Sequence, residues 1–178
     1  RHRSSTFFGN GLVGHVQFGD PVCSKLSSKL VEAANMVGAT VHEKGTYICM
    51  EGPAFSSRAE SELYRSWGAS VIGMTNAQEA KLAREAEMAF ASIALATDYD
   101  CWHDSEAEVS VEDVVKVMHE NVETARRILV KTLQELPSDF PNSQENALQS
   151  TLITDRTKIS DQAKKNLAPL IGRYLEAN

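Results

Sequence analysis

The sequence predicts an α/β fold, and three observations carry that prediction. Short β-branched, aromatic or apolar runs at 46–50, 70–74 and 88–95 alternate with stretches whose apolar residues recur at helical spacing. The stretches between them carry helix-start and helix-stop residues. An order of strand, helix, strand, helix, strand calls for parallel strands joined by right-handed crossovers.

The elements follow in order. Residues 1–10 read as loop, and residues 12–18 alternate apolar with small or polar side chains, as a strand does. Asp20-Pro21 starts a turn. Leu26, Leu30, Val31, Ala34 and Val37 set a helix over 24–37, with Gly38 where a C-terminal cap glycine belongs. Residues 41–42 form a short extended piece, and Glu51-Gly52-Pro53 ends the strand at 46–50. Ser57 and Glu60 make a capping box for a helix that carries Leu63, Tyr64 and Trp67 on one face and stops at Gly68. Thr75-Asn76 ends the strand at 70–74, and Asn76 with Glu79 gives an N-cap signature for a helix to about Glu87. The apolar run 88–95 reads as a buried strand. Ser110 with Asp113 opens the longest helix, whose stripe of Val114, Val115, Met118, Val122, Ala125, Leu129 and Leu133 reads as core, ending before Pro137. Residues 138–150 are polar loop, and 146–174 is helical in parts, limited by Pro169 and Gly172.

Composition bounds the function. With 178 residues, 42% of them hydrophobic, the chain suits one compact domain spanning 1–178. A net charge of −6 and a pI near 5.4 argue against a nucleic-acid surface. No apolar run approaches the roughly 20 residues of a membrane helix, and no charged-then-apolar leader suggests secretion. Cys23, Cys49 and Cys101 are odd in number and widely spaced, so a reduced compartment is expected rather than a disulfide framework. Cys101 and His103 lack a second metal-spaced pair, and no metal site is expected.

Three predicted strand ends, at Glu51, at Met74-Thr75 and at Asp98 to Asp100, point to one side of the sheet, where α/β sheets bind ligands. The last lies in Ala96-Thr97-Asp98-Tyr99-Asp100-Cys101-Trp102, with two carboxylates between an apolar run and a tryptophan. A partly desolvated carboxylate there can act as a general acid, or the pair can simply cap a turn. Thr75, just before a helix, can bind an anion beside free backbone N–H groups or only cap that helix. In Glu51-Gly52-Pro53-Ala54-Phe55-Ser56-Ser57-Arg58, Phe55 offers a ring for a flat ligand and Ser56 a hydrogen bond, or the stretch is a turn with a core Phe. His15 sits in a predicted strand, where a satisfied core histidine is the ordinary outcome. His2, His42, His103 and His119 have no triad spacing, and no nucleophile elbow, P-loop or Gly-x-Gly-x-x-Gly is present.

The string Thr46-Tyr47-Ile48-Cys49-Met50-Glu51-Gly52-Pro53-Ala54-Phe55-Ser56-Ser57-Arg58-Ala59-Glu60-Ser61 resembles the Glu-Gly-Pro-x-Phe-Ser-Ser-Arg-Ala-Glu-Ser signature of the 5′-methylthioadenosine phosphorylases, of the trimeric purine nucleoside phosphorylase class. Trp67-Gly68-Ala69, Gly73-Met74-Thr75 and the aspartate string follow in that family's order. The resemblance runs from about residue 5 to residue 136 and is weak from Pro137 on. It implies an α/β/α fold with a central mixed sheet flanked by helices. It also implies a reaction in which phosphate attacks C1′ of 5′-methylthioadenosine, releasing adenine and 5-methylthioribose 1-phosphate.

The roles carried over are specific. Asp98 matches the general acid at adenine N7, and Asp100 the group that receives the 6-amino donor. Related 6-oxopurine enzymes carry Asn at the base-recognition position, so Asp98 favours adenine. Phe55 matches the ring against the base, Ser56 a base-side contact, Met74 the residue under the ribose, and Thr75 a phosphate ligand. His15, Val111 and Val114 fall where the family lines its 5′-methylthio pocket. No metal or organic cofactor is implied, and inorganic phosphate is a co-substrate.

Gly73 departs from an Asn common in the animal enzymes, and Asn76-Ala77-Gln78 replaces a more hydroxylic, proline-containing stretch, either of which could shift the helix start beside phosphate. The resemblance further implies roughly another hundred residues before Arg1, room for several strands. Those residues would carry an Arg-His pair and two backbone-rich loops for phosphate. The chain therefore reads as the C-terminal part of a longer, homotrimeric, cytoplasmic and possibly nuclear protein, or as one of two pieces that assemble. Alone it is expected not to bind phosphate productively. The rival readings are a phosphorylase of adenosine or 6-oxopurine nucleosides, and a catalytically inactive base-binding or assembly piece.

Overall fold

The computed structural model describes residues 3–103 and 111–176, with only the backbone at Val111, Asp113, Val114 and Glu176. The described elements are α1 (Ser24–Met36), β1 (Thr46–Cys49), α2 (Arg58–Ser66), β2 (Ala69–Gly73), α3 (Asn76–Glu85), α4 (Val111–Glu135), a 3₁₀ turn (Arg156–Lys158) and α5 (Asp161–Glu176). They fall into two compact units. The first comprises Arg1–Leu26, Asn76–Ala91 and Phe140–Asn178, and the second Ser27–Thr75 and Ser92–Asp139. No described helix is long and apolar enough to cross a membrane.

In the second unit β1 and β2 pair in parallel, with Tyr47 opposite Val71 and Cys49 opposite Gly73. Helix α2 is the crossover between them, as the sequence predicts. Gly73 has a steric reason to be glycine, because a Cβ there would fall on the Tyr47 hydroxyl. Helix α1 ends in the expected cap. Gly38 sits at φ +72°, Ala39 N donates to Ala34 O at 3.0 Å and Gly38 N to Asn35 O at 3.1 Å, a geometry that glycine adopts without strain. Ala33 and Ala34 of α1 pack on Ile128 of α4, with Leu30, Val37, Ala39, Val41 and Ile93 around them.

That packing corrects the predicted stripe of α4. Val115, Met118, Val122, Leu129 and Leu133 are exposed, while Ile128 and Thr132 are buried. Ala125 is half-buried, and the Val114 side chain and the predicted Ser110 cap lie outside the described residues. The alanine surface of α1 meets a row of α4 one residue round from the most hydrophobic row. Thr132 is tolerated inside because its hydroxyl donates to Ile128 O at 2.8 Å. The apolar face of α2 is also uncovered: Leu63 and Trp67 are exposed, and Ser61 is the buried residue.

The first unit is built on larger side chains. Leu12, Leu148, Ile159, Ala163, Ile171 and Tyr174 form its core, with Phe8, Val16, Leu152, Leu167, Leu170 and Leu175 packed on it. Helix α5 supplies half of them and runs through Pro169 and Gly172 rather than stopping there. Pro169 and Lys165, whose carbonyl loses its partner, both face solvent, where water can take that bond. Two predicted strands are not strands here. Residues 12–18 make only isolated bridges, Gly9 to Leu12 and Gly14 to Leu152. Residues 88–95 join no sheet, and Met88 and Leu95 are exposed. Apolar composition marks a segment that packs, but a strand also needs a neighbour for its backbone bonds. The described sheet is two-stranded.

Candidate active site

Because β1 and β2 are parallel, their carboxyl ends open on one edge. Met50 N donates to Gly73 O at 2.9 Å and extends the ladder one residue past β1. Gly52 follows at φ +66°. A Cβ there would press on the flexible thioether of Met74, and the positive φ itself favours glycine. Ser56 Oγ then lies 3.7 Å from Met50 Sδ. Phe55 is 86% exposed, which rules out the core-Phe alternative and leaves its ring open to a flat partner.

The capping box of α2 fixes how this segment enters its helix. Glu60 N donates to Ser57 Oγ at 3.3 Å, and Ser57 N donates to Glu60 Oε2 at 2.8 Å. The backbone and side-chain bonds from Ser57 hold the Glu60 carboxyl below its ordinary range.

The aspartate loop is held to the same place by named contacts. Asn121 Nδ2 of α4 donates to Ala96 O at 2.8 Å. Cys101 Sγ donates to Ser56 O at 3.4 Å, which brings the loop beside the Phe55–Ser56 pair. Asp100 receives Ser61 Oγ–H at 2.6 Å on Oδ2 and Cys101 N–H at 2.9 Å on Oδ1. The Arg65 guanidinium covers Trp102 at 3.5 Å, and Tyr99 stacks on His103 with ring centroids 4.5 Å apart.

The two aspartates differ in setting. Asp100 is half-buried, but Asp98 is exposed, against the expected partial burial of both. Without a strand at 88–95, no sheet carries the loop inward at that point. The Thr97 hydroxyl donates to Asp98 Oδ1 at 2.5 Å.

Phe55, Ser56, Met74, Thr75, Asp98 and Asp100 all belong to the second unit, Thr75 two residues past β2. Helix α3 begins at the next residue, so Thr75 rather than Asn76 holds the place before the first turn. His15 belongs to the first unit and is exposed, not a core histidine; its backbone N donates to Thr151 O at 3.0 Å. Val111 and Val114 lie on the first turn of α4, with side chains outside the described residues. Residue-type reasoning passed over Ser61, Arg65 and Asn121. Ser61 carried a usable signal, being a small polar residue one turn after the Ser57 cap, on the helix face turned inward. Among the described residues no cluster of three or more His, Cys, Asp or Glu side chains could hold a metal ion.

An α/β chain with an exposed aromatic ring past the end of a parallel strand and a carboxylate pair on the loop beside it has the form of a site for a flat, polar ligand. The chain belongs to the phosphorylase superfamily, whose family model matches residues 1–134. It is 53% identical over 173 residues to the S-methyl-5′-thioadenosine phosphorylase of Geobacter sulfurreducens, covering 97% of this chain and 60% of that protein. The protein of the same name from Thermosynechococcus vestitus is 48% identical over 179 residues, covering 98% and 62%. A crystal structure of a methylthioadenosine phosphorylase from an antarctic soil metagenomic library superposes with a TM-score of 0.88 at 41% identity, covering 96% of this chain and 61% of that one. A Schistosoma mansoni methylthioadenosine phosphorylase in complex with adenine superposes at 0.72 with 26% identity, covering 97% and 61%. The chain thus spans about 60% of the length of these relatives. The fold is the α/β fold of this superfamily.

Proposed function

We propose that the protein phosphorolyses 5′-methylthioadenosine, with inorganic phosphate as co-substrate, to adenine and 5-methylthioribose 1-phosphate. The observation that carries this reading is the bond from Cys101 to Ser56 O, which sets the aspartate loop beside the exposed Phe55 ring. A purine on that ring meets Asp98 and Asp100 at its edge. The chemical difficulty is a poor leaving group and a positive charge developing on the sugar. A proton or hydrogen bond given to N7 from the Asp98 carboxyl lets the base leave with less negative charge. Asp100, with both oxygens already accepting, suits the 6-amino donor of adenine and repels a 6-oxo group. Met74 serves the ribose and Thr75 the phosphate, with Val111 and Val114 on the 5′-methylthio side. No metal or organic cofactor enters the scheme.

The rest of the phosphate site belongs to the part of the relatives' length that this chain does not span, and the working assembly is a homotrimer in the cytoplasm and nucleus. A second substrate, adenosine, is favoured by the name of a structural neighbour, an adenosine/methylthioadenosine phosphorylase from Schistosoma mansoni with a TM-score of 0.72. Comparing kcat/KM for 5′-methylthioadenosine, adenosine and inosine tests the reading. The methylthio nucleoside should be used best and inosine least; equal use of inosine would refute the adenine preference.

A further inference from the structure

We infer that Ser61 is a positioning residue that sets purine selectivity by holding Asp100 as an acceptor. The inference rests on the proposed base-binding role of Asp100 and adds a residue that touches no substrate. Ser61 is 1% exposed on the inward face of α2, so its hydroxyl has no water to turn to. It donates to Asp100 Oδ2 at 2.6 Å, the short distance of a bond to a carboxylate. Cys101 N–H occupies the other oxygen at 2.9 Å. With one donor on each oxygen, the carboxylate plane is fixed and the remaining lone pairs can only accept.

Arg65, one turn further along α2, covers Trp102 at 3.5 Å, so a single helix grips the loop at Asp100 and again at Trp102. The capping box at Ser57 and Glu60 sets the start of that same helix. A base with a 6-amino group offers the donor this arrangement needs. A base with a 6-oxo group offers a second acceptor and leaves two lone-pair carriers face to face. Without the Ser61 hydroxyl, Oδ2 loses its partner in a half-buried place. The carboxyl can then turn, or carry a proton and donate it to a 6-oxo group.

The test is binding of adenine and of hypoxanthine, by calorimetry, to the full-length protein and to Ser61→Ala and Ser61→Cys. The unmodified protein should prefer adenine. Ser61→Ala should lower the ratio of the two dissociation constants about tenfold. Ser61→Cys keeps the volume with a weaker donor, and should lower it by less. A purely structural role would weaken both bases together and leave the ratio unmoved; an unmoved ratio in either variant overturns the inference. So does an unmodified protein that binds hypoxanthine as tightly as adenine, or binds neither. If Ser61→Ala does not fold, Ser61→Cys carries the same decision. A ratio that moves as expected in a protein without phosphorolysis would refute the proposed reaction and support the role of Ser61.

Discussion

The two units hold themselves together by different means. The first buries Leu12, Leu148 and Ile171 at 2%, 0% and 0% exposure. Around that core Glu87 accepts from Tyr174 OH at 2.6 Å and from Leu148 N at 2.8 Å, and pairs with Arg173. The second unit has a thin core of two alanines and an isoleucine. It keeps its loops in place with directional bonds, such as those from Ser61, Asn121 and Cys101. Apolar burial is strong but tolerant of small displacements, whereas a hydrogen bond sets where an atom lies. A site that must present carboxylates to a base needs the second kind of restraint, and the thin core leaves its edge open.

The sharpest break between the units is expected at Asp98. Asp98→Ala should reduce kcat by about 10²–10⁴ while KM changes far less, since the proton is needed mainly in the transition state. Equal losses in kcat and KM would assign Asp98 to binding alone. Leu148→Ala should do the converse. It should cost about 2–5 kcal/mol of stability, read from denaturant unfolding, and leave KM near its original value. A loss below about 1 kcal/mol would mean that the first unit is not held by its core.

Two smaller effects depend on pH. Burial first, then the bond to Glu87 and its charge, push the Tyr174 phenol above its ordinary range. The folded state therefore binds that proton more tightly, and the stability it confers is complete below about pH 10 and lost as pH rises through the folded value. Tyr174→Phe should flatten the alkaline loss in a series of thermal melts; an unchanged alkaline limb would exclude this cause. Glu60 behaves oppositely. Its lowered pKa gives stability that is present above the ordinary carboxylate range and lost as pH falls through the folded value. Glu60→Ala should reduce the acid sensitivity of α2, measured by amide exchange of its first turn, and identical exchange in both proteins would contradict the cap's contribution.

What could be read in advance divides along the same line as the restraints. The Gly38 cap and the Ser57–Glu60 box depend on neighbours in sequence, the parallel pair β1 and β2 on a partner one crossover helix away, and all three hold. Residues 12–18 and 88–95 needed distant backbone partners to become strands, and composition reports burial rather than pairing. The face of α4 failed for a related reason. Counting hydrophobic residues finds the richest row, but the alanines of α1 chose the row of Ile128. Pro169 predicts a limit to the helix, and its solvent-facing place inside α5 is a tertiary fact. At the site, Phe55, Ser56, Met74 and the aspartates were legible as motif residues. Ser61 is legible only as a polar residue one turn after the Ser57 cap; that its hydroxyl meets Asp100 is a tertiary fact.

The most direct measurement is adenine release from 5′-methylthioadenosine by the purified protein, with and without inorganic phosphate. Release that requires phosphate and yields 5-methylthioribose 1-phosphate is the predicted result. Release that proceeds equally without phosphate would make the protein a hydrolase and contradict the proposed reaction, as would no release from a preparation that contains the full length of its relatives.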